Sequence, residues 1–437
     1  MTVTLLHAAD IHLGYQQYNS PERYDDFARA FYRLVDDAIA RRVDALLLAG
    51  DLFHKRDLAP QTLLQASDAL KRLRQAGIPT IAVEGNHERP RLLEDLSWLD
   101  YLVEMGLLIL LSPVYREGRI ILEPWQAESR QGAYYDLPGG VRIVGAKYYG
   151  ASTPRVVRDL AEALPALPGP RPAFTVLMLH AGLQGVLDHY AATLTRHDLE
   201  ALRPHADYLA LGHIHKPFVQ DDWLYNPGSL ETNSVEEAAW DDRGYFLVEV
   251  DAARQPRHRV TPLRGRRRPF VRLSFAVDAY DSPEALELAL RAYLDAEAGD
   301  ALRRQRPVVD LVLRGVLAFR SADLETARLE ALAAERFNAI HCQLRNLTAP
   351  SDFEIRPSEA LDREALERFV LQELVERDAR HRPASERWAD LAQRLKRLSL
   401  GNSAPEEVIA ALRAFHQEMA LAPSDATGEE EGGVAAC

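Results

Sequence analysis

Five short segments of this sequence end in residues able to hold a metal ion. They are AADIH, with Asp10 and His12; LAGDLFH, with Asp51 and His54; VEGNHE, with Asn86 and His87; MLHAG, with His180; and LGHIH, with His213 and His215. Each follows a short apolar run that reads as a buried strand. In an open α/β sheet, ligands gather just beyond the carboxyl ends of the strands. Residues far apart along the chain can therefore meet at one edge. The donors on offer are imidazole nitrogen, carboxylate oxygen and an amide oxygen, with no thiolate. Such a mixed N/O set suits manganese, iron or zinc better than calcium or magnesium.

The candidates Asp10, His12, Asp51, Asn86, His180, His213 and His215 are too many for one first-row ion, which takes about four to six ligands. Two divalent ions roughly 3.5–4 Å apart, sharing one carboxylate, would use them all. Two such ions bring four positive charges against two aspartates. The remainder can hold a phosphate and a hydroxide, an arrangement that cleaves phosphoesters. In extended chain, residues i and i+2 point the same way, which suits the D-x-H and H-x-H pairs. Gly50, Gly85 and Gly212 precede Asp51, Asn86 and His213 and allow sharp turns and close backbone approach. Each signature alone is commonplace: GD and GN pairs are usually ordinary turns, and His180 by itself reads as a satisfied buried histidine. The joint occurrence, each time after an apolar strand, favours the dinuclear site. His7 lies inside a strand with no partner motif and is assigned to structure.

The elements that must position these residues alternate. Residues 3–10 read as a strand, and 22–42 as a helix with Phe27, Phe31, Leu34, Val35, Ala38 and Ile39 on one face. A strand at 44–51, a helix at 61–76 and a strand at 78–87 follow, which predicts an α/β layered sheet. Between 106 and 146 the apolar runs are short and β-branched, as in antiparallel strands. Residues 175–182, 207–215 and 243–251 read as further strands, and 225–229 as a turn. A boundary falls at RGRRRPF, 264–270. Residues 270–349 then read strand, helix, strand, helix, strand. Helices at 362–381, 385–398 and 405–421 close the pattern, the last with an apolar stripe of Val408, Leu412, Phe415 and Met419.

A chain of 437 residues predicts two or three domains. It has no run of 18 or more apolar residues, so no membrane span or membrane partner is expected. The opening MTVTLLHAAD reads as a first strand and not as a leader. Two cysteines, Cys342 and Cys437, exclude a disulfide framework and a CxxC zinc site, and a cytoplasmic chain is the plain expectation. The formal charge of −13 argues by itself against nucleic acid. The charge is uneven, however, with the basic cluster RGRRR at 264–268, so whole-chain charge is a weak guide.

In this order, D-x-H, GD, GNH, H and GHxH resemble the calcineurin-like metallophosphoesterase superfamily. The fuller segments ADIHLGYQQY, LLAGDLFHKRDLAP, VEGNHE, LHAG, YLALGHIHKPF and YNPGSLE resemble the SbcD / MRN-complex nuclease subunit family, across residues 9–231. That resemblance implies a layered α-β-β-α metallophosphoesterase (nuclease) domain over 1–264, a small α+β capping domain over 265–350, a helical ATPase-binding region over 351–421 and a disordered acidic tail over 422–437. It implies that Asp10, His12, Asp51 and His215 hold one ion, and that Asp51, Asn86, His180 and His213 hold the other, with Asp51 bridging and manganese as the usual metal. His87 would stay off the metals and act on the scissile phosphate, and His54 would position the DNA end. Tyr15, Lys55, Arg56 and Arg89 would touch phosphates or bases, with a plain solvated loop the alternative for the three basic residues. The implied activity is a manganese-dependent DNA exonuclease and endonuclease. It would act in double-strand break repair with an SbcC-type coiled-coil ABC ATPase, as a nucleoid-associated homodimer joined through helices in the first 110 residues.

Two departures stand out. Ala181 follows His180 where relatives often carry a polar residue, and the net charge is acidic for a DNA enzyme. A small-molecule phosphodiesterase or phosphatase of the same superfamily is the alternative; the extra C-terminal segments and His54 weigh against it. A non-catalytic scaffold would have lost ligands, and every ligand position here is filled.

Overall fold

A computed structural model describes residues 2–89, 96–167, 169–187, 194–350, 363–376, 381–401 and 405–421 of the chain. It divides into two compact units, Met1–Ser351 and Asp352–Cys437. The expected acidic tail at 422–437 lies outside the described residues.

The first unit is built on two six-stranded sheets. One runs His258–Arg264, Gly244–Val250, Val3–Ala8, Ala45–Leu48, Thr80–Ala82, Ile109–Leu110 in spatial order. The other runs Phe218–Gln220, Leu224–Asn226, Tyr208–Gly212, Phe174–His180, Val141–Ala146, Tyr134–Leu137. The central strands are parallel; antiparallel strands close three of the four edges, and Ile109–Leu110 closes the fourth in parallel. Period-two alternation decides the layering. Leu5, Leu47, Ile81, Val176, Met178 and Ala210 meet in a core between the two sheets. Leu6, Leu46 and Leu48 face outward under the helices Pro21–Arg41 and Pro60–Gln75. Leu177, Leu179, Leu209 and Leu211 face the opposite helical layer, which includes Thr153–Ala163. The order is therefore α-β-β-α. His7 crosses the sandwich, its ring nitrogens bonded to the Tyr208 hydroxyl at 2.9 Å and the Leu211 carbonyl at 3.1 Å. Burial pushes its pKa down to about 3, so it stays neutral.

Several sequence expectations are corrected here. Ile109–Leu110 pairs parallel to Thr80–Ala82, not antiparallel, because it continues the crossover series of the first sheet. The strand expected over 207–215 stops at Gly212, before both histidines. Leu224–Asn226 is a strand where a turn was read, and Phe218–Gln220 and His258–Arg264 are strands that went unread. These short or half-polar runs pair because neighbouring strands offer them hydrogen bonds, and propensity alone does not reveal that.

The remainder of the first unit is a three-stranded parallel sheet, Phe270–Ala276, Val308–Leu317 and His341–Pro350. The helices Pro283–Glu297 and Thr326–Phe337 pack on it over a separate core. The basic run before it does not form a free patch. Arg268 grips Asp26 at 2.6 and 3.0 Å, Arg264 pairs with Asp242, and Arg267 donates to the Trp240 and Asp241 carbonyls. Arg268, which also donates to the Gln305 and Arg306 carbonyls, thus ties the chain entering this sheet to the helix Pro21–Arg41.

The second unit contains the helices Arg363–Glu376, Ser385–Leu400 and Pro405–Leu421. Of the apolar stripe on the last helix, Phe415 is buried against Trp388, with ring centroids 4.5 Å apart, while Leu412 remains 39% exposed.

Candidate metal centre

The chain leaves each central strand at the same end of the sandwich, and the loops there carry the predicted donors except His180, which is the last residue of its strand. The extended geometry expected of the D-x-H and H-x-H pairs is not what positions them. Asp10, His12, Asp51 and His213 have φ of 54°, 52°, 55° and 94°. A non-glycine residue in the left-handed region costs about 1–3 kcal/mol, and such residues persist where the surroundings over-determine them. Here the loops are laced together by backbone bonds: Asp10 N to Gly50 O, Ile11 N and His12 N to Asp51 O, and Leu13 N to Leu52 O, all between 2.8 and 3.1 Å. Two glycines permit the approach. Gly50 has φ +92°, and a Cβ there would lie 2.2 Å from His180 Nδ1; a Cβ on Gly212 would lie 2.1 Å from the Ala49 carbonyl.

The result is two adjoining groups of donors. Asp10, His12 and His215 form one and Asp51, His180 and His213 the other, each with donor atoms within 4.8 Å of one another. Asn86 Oδ1 joins the second group, 3.0 Å from His180 Nε2 and 2.8 Å from His213 Nδ1. Asp51 Oδ2 stands between the groups, 3.3 Å from His180 Nε2 and 4.0 Å from His12 Nε2. His213 and His215, two residues apart, thus enter different groups. His12, His54 and His87 form a third, overlapping cluster.

The ring orientations are set by what the far nitrogens bond to. His180 Nδ1 lies 2.7 Å from the Ala49 carbonyl, which only accepts, so that nitrogen carries the proton. Its Nε2 lone pair then faces the oxygens of Asp51 and Asn86, an arrangement that repels unless positive charge lies between them. His215 Nδ1 is 2.6 Å from Glu237 Oε1, which leaves its Nε2 facing His12 Nε2 at 3.0 Å. His87 Nδ1 donates to the His54 carbonyl at 2.6 Å, and its backbone N–H to Asp51 Oδ1 at 3.1 Å.

The acid–base balance reports the same demand for positive charge at His180 and Asp10, while His12 and His213 are kept neutral by burial. Burial alone would lower His180, but Asp51 and Asp10 raise it to about 9. Burial alone would raise Asp51, but His180, His12 and His87 hold its carboxyl well below the usual carboxylate range. Asp10 is pushed up to about 6 by burial, and His213 down to about 3 by burial and by His180. Where protons can answer that demand, divalent cations can answer it too. The donor set, all N and O with no thiolate, fits a pair of first-row ions.

Around the donors, Tyr15 stacks on His54, ring centroids 3.8 Å apart, and Lys55, Arg56 and Arg89 are exposed. The Arg89 guanidinium lies 5.9 Å from the Tyr148 ring, which itself stands 5.3 Å from the His213 ring. Sequence reasoning missed three residues here. Tyr148 closes the side of the second group. Buried Glu88 accepts backbone N–H bonds from Gly85, Asp51 and Phe53 at 2.8, 3.2 and 2.9 Å, tying two donor loops together. It followed His87 in a recognised motif, and only its role was overlooked. Glu237, behind His215, sits among acids with no local pattern to single it out.

Residues 3–217 match the calcineurin-like phosphoesterase family. The chain is 35% identical to the DNA double-strand break repair protein Mre11 of Archaeoglobus fulgidus, over 53% of this chain and 51% of that one. It is also 35% identical to the protein of that name from Haloferax volcanii, over 56% and 49%, and 31% identical to the one from Saccharolobus solfataricus, over 56% and 60%. The chain spans about half the length of these curated relatives. With its α-β-β-α layers and its donors at five strand ends, the domain that carries the site, residues 3–217, is a calcineurin-like phosphoesterase domain, and the chain is similar to the archaeal Mre11 proteins.

Proposed function

We propose that this chain is a manganese-dependent DNA nuclease, hydrolysing phosphodiester bonds by a two-metal mechanism. It works with an SMC-like coiled-coil ABC ATPase of the SbcC type in double-strand break repair. One observation carries the reading: Asp51 Oδ2 lies between two complete donor groups, in a domain similar to archaeal proteins named for double-strand break repair. Asp10, His12 and His215 would hold one ion, Asn86, His180 and His213 the other, and Asp51 both. Bound there, divalent ions supply Lewis-acid neutralisation of the phosphate and lower the pKa of water.

The chain's own residues do the rest. His87, with its side chain 33% exposed and its Nδ1–H fixed on the His54 carbonyl, holds Nε2 3.9 Å from Asp51 Oδ2. Protonated there, it donates to a phosphate or leaving oxygen. His54, held under Tyr15, shapes the rim on which Lys55, Arg56 and Arg89 meet the DNA backbone. Residues 265–350 cap the nuclease domain and the helices of 351–421 bind the ATPase, to which Leu412 and Ile409 offer exposed apolar surface. A homodimer forms through the helices Pro60–Gln75 and Trp98–Glu104, where Leu64, Trp98 and Tyr101 are 69%, 39% and 41% exposed, with Met105 beside them. No helix among the described residues is long and apolar enough to cross a membrane.

The test is to incubate end-labelled duplex and single-stranded DNA with the protein and manganese, with and without the ATPase. Degradation in at least one arm is expected, and none in any arm would sink the proposal. Turnover of cyclic nucleotides or monoesters far above that of DNA would favour the small-molecule reading. A finer expectation follows from the split of the H-x-H pair. His213→Ala and His215→Ala should each lose one manganese ion and keep the other, read by calorimetric titration. Loss of both ions from either variant would show that the two histidines share one ion.

A further inference from the structure

Behind His215 lies a buried chain of charges that the site's own chemistry does not require. Glu237 accepts from His215 Nδ1 on one oxygen. On the other it accepts from Arg243 at 2.5 Å and from the Asn233 backbone at 2.8 Å. Arg243 is fully buried and also binds Ser229 Oγ, Thr232 Oγ1 and the Glu231 carbonyl. Fully buried Arg23 clamps the same 229–233 segment from the other side, through the Glu231 carboxylate at 3.0 Å and the Thr232 carbonyl at 2.9 Å, and continues to Asp26 and Arg268. Buried ion pairs of this kind are weak sources of stability compared with apolar packing. What they do provide is a carboxylate that cannot rotate or drift, placed against one ring nitrogen.

We propose that Glu237 is the positioning residue for His215: it holds the imidazole proton on Nδ1 and thereby keeps Nε2 free to bind the ion of the Asp10–His12–His215 group. The inference rests on the two-ion reading above. Its physical content is the proton's location. Arg243 and Asn233 both donate to one side of the Glu237 carboxylate, so only acceptor oxygen is tolerated there. A glutamine at 237 would turn its oxygen toward those two donors and its NH2 toward His215. The ring must then accept at Nδ1, and its proton moves to Nε2, where it blocks ligation. A side chain that merely filled space would leave the tautomer unchanged.

The experiment titrates manganese into wild-type protein and Glu237→Gln by calorimetry. It also reads the His215 tautomer by 15N NMR on histidine-labelled, metal-free protein at alkaline pH, where the ring is neutral. Expected are two ions in the wild type with the His215 proton on Nδ1. In Glu237→Gln one site should weaken by roughly 10–100-fold and the other stay unchanged, with the proton moved to Nε2. Two sites of wild-type affinity in Glu237→Gln, or equal weakening of both, would overturn the proposal. If the variant does not fold, the wild-type tautomer decides alone: a proton on Nε2 overturns the proposal and one on Nδ1 supports it. Fewer than two ions in the wild type would overturn the two-ion reading itself, and this inference with it, whatever the variant does.

Discussion

Asp51→Asn is expected to remove manganese from both halves of the site and to lower DNA cleavage by roughly four orders of magnitude, about 5 kcal/mol of barrier. Among the described residues, Asp51 Oδ2 is the carboxylate oxygen that stands 3.3 Å from His180 Nε2 in one group and 4.0 Å from His12 Nε2 in the other, and Asp51 is 2% exposed. Asparagine preserves its shape and keeps an oxygen for the His87 backbone N–H at 3.1 Å. The protein should therefore fold, and the loss should come from charge. A neutral amide no longer offsets two divalent ions, and its NH2 faces the lone pairs that must bind them. Calorimetric titration beside an end-labelled DNA assay checks both parts. Two ions bound with wild-type affinity would contradict the bridging role. Chelating the metal from the wild type should reproduce the same loss of cleavage, reversed on adding manganese back.

His87→Ala should produce the complementary phenotype. Cleavage is expected to fall about 10²–10⁴-fold, the usual contribution of a positioned general acid, while both ions still bind. The reasoning is local. The contact of residue 87 with Asp51 Oδ1 is made by the backbone N–H, which alanine retains, and the neighbouring Glu88 still ties the loop down through Gly85, Asp51 and Phe53. What disappears is the imidazole, whose Nε2 lies 3.9 Å from Asp51 Oδ2. Single-turnover cleavage should drop with manganese affinity kept within about threefold of wild type, a narrow band on the RT scale. Loss of metal together with activity would mean that His87 is a ligand instead.

The donors were legible because their chemistry is local. Asp10, His12, Asp51, Asn86, His180, His213 and His215 each follow an apolar strand run, and a strand-end residue in an α/β sheet has few places to point. An α/β sheet was legible from the alternation of strands and helices, but not that Leu5 and Leu47 face one core while Leu6 and Leu46 face another, because these runs are apolar on both faces. The backbone of the site was misread. The i, i+2 rule holds in a strand, and Asp10, His12 and His213 have already left theirs, in left-handed conformations that neighbouring loops impose. RGRRR, from composition a candidate basic patch, is instead largely engaged within the fold, with Arg268 on Asp26 and Arg264 on Asp242.

By itself the sequence determined which side chains could bind metal, that there were enough of them for two ions, and that an α/β sheet would present them on one edge. Residue type and strand periodicity are properties of neighbours along the chain, and these conclusions need nothing more. Which donors stand together was implied by the family resemblance and not by residue type or spacing, and the tertiary structure places them in those same groups. His213 and His215, adjacent in a motif, diverge to partners near residues 86 and 12, and Asp51 falls between the two groups. Only the tertiary structure chose Glu237 over its neighbour Glu236 as the carboxylate behind His215, an outcome set by Arg243 and the 229–233 segment arriving from elsewhere in the fold. Such choices depend on contacts between distant segments, each too weak alone to leave a local trace, and they exist only once the two sheets have packed.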